Sequence, residues 1–217
     1  MDPYYKRSEI SNSDLSALKE MLYPRPVFGD KEKAYAEGNL LDAMITEAHK
    51  VDFFNRTLAG YTYSKEQMQN SEAMKKAFYR DAVCKMMVQD ASFQHVSIQH
   101  NWPIECNGFK FLLDVRCKWD IYKPKLKMGG DIKSTAAETQ QQFEDACEFF
   151  DYYRSRAWYM DIAGTTKDLL IGVSKKNHKV FKIYINKGDK LYTKGKEEYQ
   201  SLAFKWWTLF GDLKLTA

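Results

Sequence analysis

The chain has 217 residues, of which 44% are hydrophobic and 15% aromatic, enough to bury a substantial core in one α/β domain. It has no run of about 18 apolar residues and no N-terminal signal-peptide pattern, so we expect a cytoplasmic protein without membrane contact. The formal net charge is +4, yet residues 167–217 contain eleven lysines against five acids. This lysine-rich part fits a polyanion-binding surface and a solubilising surface equally well.

The cysteines and histidines do not have the spacing of a metal site. No Cys-x-x-Cys pair occurs, which argues against zinc and redox motifs and favours reduced thiols. A glycine-rich phosphate loop is also missing from the sequence, which argues against an ATP-driven machine. The residues concerned are Cys84, Cys106, Cys117, Cys147, His49, His95, His100 and His178.

Three helices are predicted in the first 90 residues. Residues 8–23 carry apolar side chains at near-helical spacing, with Ser11 or Ser13 as the N-cap. Further helices are predicted over 30–50 and 64–90, the second of them strongly amphipathic.

Strand patterns begin after this helical part. Residues 93–100 alternate, and 109–116 pair with them across Asn107-Gly108, a strong hairpin signal. We therefore expect a mixed central sheet. The remaining predicted elements are a helix over 137–162, a strand hairpin over 169–173 and 180–185, and a helix over 195–210.

The chemistry is concentrated in one stretch of this sheet. Asp120 and Asp131 stand eleven positions apart, and Lys133 follows two residues later. We expect one strand to end near Asp120, a turn-prone segment with Pro124 and Gly129-Gly130 to follow, and a short strand to begin at Asp131. Side chains alternate along a strand, so Asp131 and Lys133 point to one face. Two carboxylates and an ammonium group therefore converge.

Such a group is suited to a divalent cation. Carboxylates and backbone carbonyls are the hard oxygen ligands that Mg²⁺ prefers. Asp120, Asp131 and the Ile132 carbonyl are the candidate ligands, with Mn²⁺ as an alternative ion. Lys133 would orient the attacking water and offset negative charge in the transition state. The alternative is a solvated charged hairpin, because acids and lysines are common on surfaces.

These residues resemble a known family. Asp120 followed by Asp131-Ile132-Lys133-Ser134-Thr135 resembles the core of the PD-(D/E)xK nuclease superfamily, and more narrowly the phage-type exonucleases related to exodeoxyribonuclease VIII (RecE). The segment Ile10-Ser11-Asn12-Ser13-Asp14-Leu15 is similar to the start of RecE-like domains. One departure is that Trp119, rather than Pro, precedes Asp120.

A second departure concerns the predicted helix over 30–50. The family has a metal-binding His four residues after a Gly, whereas this chain has Gly38 and then Asp42. Asp also binds Mg²⁺, so the resemblance makes Asp42 a further candidate ligand. The alternative is a solvent-facing helix residue. Gly38 itself costs about 1 kcal/mol relative to Ala in a helix, which suggests close packing or a helix boundary.

The resemblance also implies residues that contact DNA. In the family a polar residue on the helix after the D-x-K strand faces the substrate. We expect Tyr152, Arg154 and Arg156 to contact phosphates or bases, by aromatic stacking and by the guanidinium fork. Ser134 and Thr135 belong to the same candidate surface. The alternative for the two arginines is a surface-exposed pair.

Taken over the chain, the resemblance implies a single restriction-endonuclease-like α/β domain over 1–217, with a mixed central sheet flanked by helices. Its parts are a helical region 1–90, a catalytic core 91–166, and a basic hairpin with a C-terminal helix, 167–217.

The activity implied is that of a Mg²⁺-dependent DNA exonuclease in a bacterial or phage-infected cell. It would degrade duplex ends, 5′ to 3′, and leave a 3′ single strand. A single-strand annealing protein and a ring-like homo-oligomer are implied as partners. The alternatives are a site-specific endonuclease on the same fold and a non-catalytic nucleic-acid-binding relative.

Overall fold

The computed structural model of the protein describes residues 3–26 and 29–211, which form helices around a central sheet. The helices are α1 (Asn12–Leu22), α2 (Lys31–Thr46), α3 (Lys65–Arg80), α4 (Ala82–Val88), α5 (Gln140–Phe149), α6 (Tyr152–Ala163) and α7 (Lys190–Phe210). The strands are β1 (Thr57–Leu58), β2 (Tyr61–Thr62), β3 (Ser92–Cys106), β4 (Phe109–Lys123), β5 (Met128–Thr135), β6 (Lys167–Ser174) and β7 (Val180–Asn186).

The central sheet is mixed and has the strand order β3-β4-β5-β6-β7. The β3–β4 and β6–β7 pairs are long antiparallel hairpins, whereas β5 and β6 run parallel over all eight residues of each strand. Helices α5 and α6 form the crossover that a parallel pair requires. The β4–β5 contact is short, with three residue pairs from Ile121–Gly130 to Lys123–Met128.

Helices cover both faces of this sheet. Helices α1, α5, α6 and α7 pack on one face, where the core includes Trp119, Phe143, Trp158 and Leu170. Helices α2, α3 and α4 cover the other face, where the core includes Leu41, Phe78, Ile121, Ile132 and Ile171. Because both faces are buried, β6 is apolar along most of its length rather than alternating.

The predicted N-cap of the first helix is confirmed, and two longer predicted helices are wrong. Ser11 is the N-cap of α1, and its backbone N–H donates to the Asp14 carboxylate at 2.7 Å. The predicted helix over 64–90 is two helices, because the Asp81 carboxylate accepts from two N–H groups and starts α4. The helix over 137–162 is also two, separated by Asp151 in the left-handed region.

The final helix begins at Lys190, five residues before the predicted start, with the Asp189 side chain as its cap. The small β1–β2 hairpin was not predicted. No helix in the described ranges is long and apolar enough to cross a membrane. All four cysteines are free thiols.

The turn predictions have mixed outcomes. Asn107 and Gly108 both have positive φ, 51° and 82°, which confirms the hairpin turn between β3 and β4. Gly129 and Gly130, however, lie inside β5, and the turn before them is a 3₁₀ segment, Pro124–Leu126. Gly129 serves packing instead, since a Cβ there would lie 1.8 Å from Cζ3 of Trp119.

Candidate active site

The strands β4 and β5 separate where the two predicted acids stand. Their last residue pair is Ile121–Gly130, and Asp120 and Asp131 are the next residues on the two strands. In place of a ladder bond, the Ile132 N–H donates to Asp120 Oδ2 at 2.8 Å. The N–H and C=O of one residue point to the same side of an extended strand, so the Ile132 carbonyl faces the same gap.

Lys133 pairs with Asp131 on the same face of β5. Its Nζ lies 2.5 Å from Asp131 Oδ2. Burial works against the ammonium charge, but the carboxylates of Asp131 and Asp120 outweigh it and raise the pKa of Lys133. Lys133 is therefore a protonated cation at neutral pH rather than a base.

A second cation reaches the same carboxylate from α6. Arg156 is 1% exposed, and its Nη1 pairs with Asp131 Oδ1 while its Nε donates to Asp168 Oδ2 at 2.9 Å. The guanidinium carbon lies 5.0 Å from the ring centroid of Trp119 and 4.2 Å from that of Tyr159. Burial disfavours the Asp131 charge, yet its two cationic partners hold the pKa of Asp131 below its ordinary value. Asp131 is thus kept ionised and fixed in orientation.

Asp42 supplies a third carboxylate from α2. It is half-buried and accepts hydrogen bonds from Gln94 Nε2 at 3.0 Å and from Thr46 Oγ1 at 3.2 Å. Burial and the negative charges of Asp42 and Asp131 raise the pKa of Asp120 well above its ordinary value. Asp42 therefore acts electrostatically on Asp120 in the gap.

Gln94 holds Asp42 from an unusual backbone position. It lies within β3 with φ of 51°, and the pairs that flank it, Phe93–Ile121 and His95–Trp119, place it opposite Asp120. A left-handed residue other than Gly costs about 1–2 kcal/mol. Such strain is common at functional sites. Sequence reasoning missed Gln94, because alternation along β3 does not reveal a local change of φ.

Comparisons with known proteins concern the fold. Neither a family model nor a curated protein matches the chain. A solved structure described as a “putative exonuclease” from Eubacterium rectale matches with a TM-score of 0.58 at 14% identity, over 88% of this chain and 78% of that chain. The “phage related exonuclease” from Haemophilus somnus 129PT matches with a TM-score of 0.41 at 15% identity, over 89% and 92%.

The chain has a restriction-endonuclease-like fold. The mixed sheet with helices on both faces confirms the fold class predicted from the sequence. In this fold, Asp120 and Asp131 lie at the gap between β4 and β5, and Asp42 lies on α2 close enough for its charge to act on Asp120.

The two arginines on α6 do not lie where the sequence placed them. Arg154 is 2% exposed, and its guanidinium donates to Asn12 Oδ1 at 3.1 Å, Ser16 Oγ at 2.6 Å and Glu198 Oε1 at 3.1 Å. It ties α6 to α1 and α7, just as Arg156 ties α6 to the sheet. The predicted DNA contacts and the alternative of a surface-exposed pair both require accessible guanidinium groups, whereas acceptors on neighbouring elements draw both groups inward.

The other predicted DNA contacts differ in burial and in their position relative to Lys133. Tyr152 is half-buried at the start of α6, with its ring centroid 5.2 Å from Lys133 Nζ. Ser134 is half-buried one residue further along β5. Thr135 is buried, and its hydroxyl accepts from the Ala137 N–H at 3.1 Å. Tyr152 is therefore the predicted DNA contact that lies against the site.

The donor set can be tested against a divalent cation. In the part of the chain that the structure describes, no three His, Cys, Asp or Glu side chains are arranged so that they could hold a metal ion. Asp131 is engaged by Lys133 and Arg156, and one Asp120 oxygen accepts from Ile132. The donor chemistry nevertheless fits Mg²⁺, since the carboxylates are hard ligands and a cation would offset the burial and the carboxylate repulsion that together raise the pKa of Asp120.

Proposed function

We propose that this chain is a Mg²⁺-dependent DNA exonuclease of the phage recombination type, with Mn²⁺ as an alternative ion. The observation that carries the proposal is the gap between β4 and β5, where Asp120 and Asp131 stand on opposite strands beside Lys133. The matching structure from Eubacterium rectale, itself described as a “putative exonuclease”, supports this class of activity.

The residues divide into ligands and charge-stabilising groups. Asp42, Asp120, Asp131 and the Ile132 carbonyl would hold the ion, which when bound supplies Lewis-acid polarisation of a phosphoryl oxygen and an activated water. Lys133, kept protonated by its acidic neighbours, stabilises the negative charge that develops on the phosphate oxygens.

Arg156 is a positioning residue in this proposal. It is buried, and it fixes Asp131 from the core while Lys133 contacts the same carboxylate from the half-exposed side. Tyr152, beside Lys133, is the DNA contact nearest to the proposed reaction centre.

The resemblance to RecE-like exonucleases supports the finer points of the proposal. These are 5′ to 3′ degradation of duplex ends, a 3′ single strand as product, and a single-strand annealing protein as its recipient. A homo-oligomer in the cytoplasm of a bacterial or phage-infected cell belongs to the same proposal.

The test is digestion of linear duplex DNA labelled at the 5′ or the 3′ end, with Mg²⁺ or with EDTA. We expect release of the 5′ label as mononucleotides, abolished by EDTA, by Asp131→Asn and by Lys133→Ala. Glu105→Gln and Lys110→Ala are matched controls, because this acid and lysine are exposed on the distant part of the β3–β4 hairpin. Both controls should retain full activity.

One observation favours a non-catalytic DNA-binding protein as the second candidate. Asp131 is already neutralised by Lys133 and Arg156, so the site has an internal substitute for part of the charge of a metal. Binding of DNA without degradation of linear or circular duplex, by well-folded protein in Mg²⁺ or Mn²⁺, would select this candidate. Cutting of circular duplex would select an endonuclease instead.

A further inference from the structure

Two phenylalanines protrude from the junction between α5 and α6. Phe149 is 48% exposed and Phe150 is 55% exposed, although rings of this size are usually buried. They are followed by Asp151, whose φ of 57° breaks the helical path and keeps both rings on the outside. The sequence predicted one continuous helix over 137–162 with Phe150 on its apolar face, and the exposure of Phe150 corrects that prediction.

These rings continue a row of contacts that begins at the candidate active site. Lys133 Nζ lies 5.2 Å from the Tyr152 ring centroid, and the Tyr152 ring stacks on Phe150 with centroids 5.7 Å apart and an interplanar angle of 23°. Phe150 meets Phe149 edge to face at 5.0 Å. The Arg25 guanidinium carbon lies 5.5 Å from the centroid of Phe149. An aromatic row thus joins Lys133 to a cation at the surface.

The aromatic row has a rigid support. Arg25 donates to the Phe149 carbonyl at 2.6 Å and to Asp151 Oδ2 at 2.7 Å. Lys19 Nζ lies 2.9 Å from the same Asp151 oxygen. The chain path that exposes the rings is therefore fixed by ion pairs from the N-terminal segment. A preformed surface loses little conformational entropy when it binds a partner.

The chemistry of the aromatic row fits one partner. Aromatic rings in a row, with cations beside them, are the features of proteins that bind single-stranded nucleic acid, where bases stack on the rings and phosphates lie near the cations. Paired bases are already stacked on each other and do not offer their faces in this way. The continuity with Lys133 favours a strand that also enters the site over an unrelated protein.

We propose that Phe149 and Phe150 form, with Tyr152, a stacking surface for unpaired bases of the DNA strand that leads to the candidate active site. The inference rests on the proposed function for the identity of that strand. The proposed surface lies outside the cluster of acids, and unpaired bases are the groups that it recognises.

The test compares two ligands in EDTA, which stops any hydrolysis: a short oligothymidine, and an abasic oligonucleotide of equal length with the same phosphates. The variant is Phe149→Leu/Phe150→Leu, which keeps apolar side chains and removes the rings. We expect its dissociation constant for oligothymidine to rise about tenfold, the order of a lost base–aromatic stack. Its affinity for the abasic strand should not change.

Phe54→Ala is the matched control, since Phe54 is 92% exposed and belongs to a different part of the chain. It should bind both ligands as the native protein does. Equal weakening on both ligands, unchanged binding of both, or failure of the native protein to bind oligothymidine would each overturn the stacking surface. A change in sedimentation without a change in oligothymidine affinity would make the row a subunit contact and overturn it too. Base-dependent binding by a protein that does not degrade DNA would support the surface and reject the nuclease.

Discussion

Arg156 of α6 pairs with Asp131 of β5 in the buried centre of the molecule, and the same guanidinium bonds Asp168 of β6. A helix on one face of the sheet thereby neutralises an acid of the candidate active site and an acid of the neighbouring strand. Removing a charge from water is costly, so this triad persists only while each member has its partners.

Arg156→Met tests that dependence. We expect it to lower the free energy of unfolding by about 3–5 kcal/mol, because Asp168 loses its cationic partner inside the protein. The double variant Arg156→Met/Asp168→Asn should recover part of this loss, since the unpaired buried carboxylate is gone. Urea denaturation monitored by tryptophan fluorescence measures both. A double variant no more stable than the single one would show that Asp168 is not the source of the loss.

The sequence predicted the sheet better than the helix ends. Alternation and Asn107-Gly108 specify a hairpin locally, and the hairpin is found. Hydrophobic periodicity continued through Asp81 and Asp151, where the chain changes direction. These breaks come from a side-chain cap at Asp81 and a left-handed φ at Asp151, held by ion pairs from distant residues. Periodicity contains no information on either.

Some features of the candidate site could also be predicted from the sequence, and others could not. Asp131 and Lys133 share a face because they are two residues apart on a strand, which sequence alone predicts. Gln94 and Asp168 reach the site through the pairing of strands far apart in sequence. Burial of Arg156 follows from acids on β5 and β6 that are not its sequence neighbours. These features depend on pairing between elements far apart in sequence, which local sequence patterns do not reveal.

Two substitutions at Gln94 can separate the backbone strain at this residue from its hydrogen bond to Asp42. Gln94→Ala and Gln94→Gly both remove the amide that donates to Asp42 at 3.0 Å. Only glycine relieves the left-handed φ of 51°, so Gln94→Gly should be more stable than Gln94→Ala by about 1 kcal/mol. Calorimetric titration should nevertheless show Mg²⁺ binding weakened to the same extent in both. If the more stable Gln94→Gly variant bound Mg²⁺ more tightly than Gln94→Ala, that result would contradict a positioning role for the amide.

Gly129 explains how Trp119 is accommodated immediately before Asp120. A Cβ at Gly129 would lie 1.8 Å from Trp119 Cζ3, so Gly129→Ala should destabilise the fold by about 1–3 kcal/mol through overpacking. Adding Trp119→Phe should offset part of that loss by making room. Gly38→Ala is the control: its nearest neighbour, Ser134 Oγ, would lie 3.6 Å away. Since Gly38 is inside α2, this change should stabilise by about 1 kcal/mol in thermal and urea unfolding.

The hydrogen bonds of Asp161, which lies away from the candidate site, predict that stability depends on pH. Its carboxylate accepts from the hydroxyls of Tyr192 and Tyr199, each at 2.6 Å, and lies 3.1 Å from Lys187 Nζ. Burial acts against the charge, but these donors outweigh it and hold the pKa of Asp161 below its ordinary value. The stabilisation is therefore complete above the unfolded-state pKa, about 3.9, and is lost as the pH falls through the lower folded-state value.

Asp161→Asn should accordingly lower the free energy of unfolding by about 2 kcal/mol at pH 7, the order of a hydrogen bond to a charged group. The difference from the native protein should shrink towards zero as the pH falls below about 4, because the native carboxyl then becomes neutral as well. Urea denaturation at a series of pH values measures it. Glu105→Gln, at an exposed position, should change stability by less than about 0.5 kcal/mol at pH 7. A difference that stayed constant down to pH 2.5 would show that the Asp161 charge does not stabilise the α6–α7 contact.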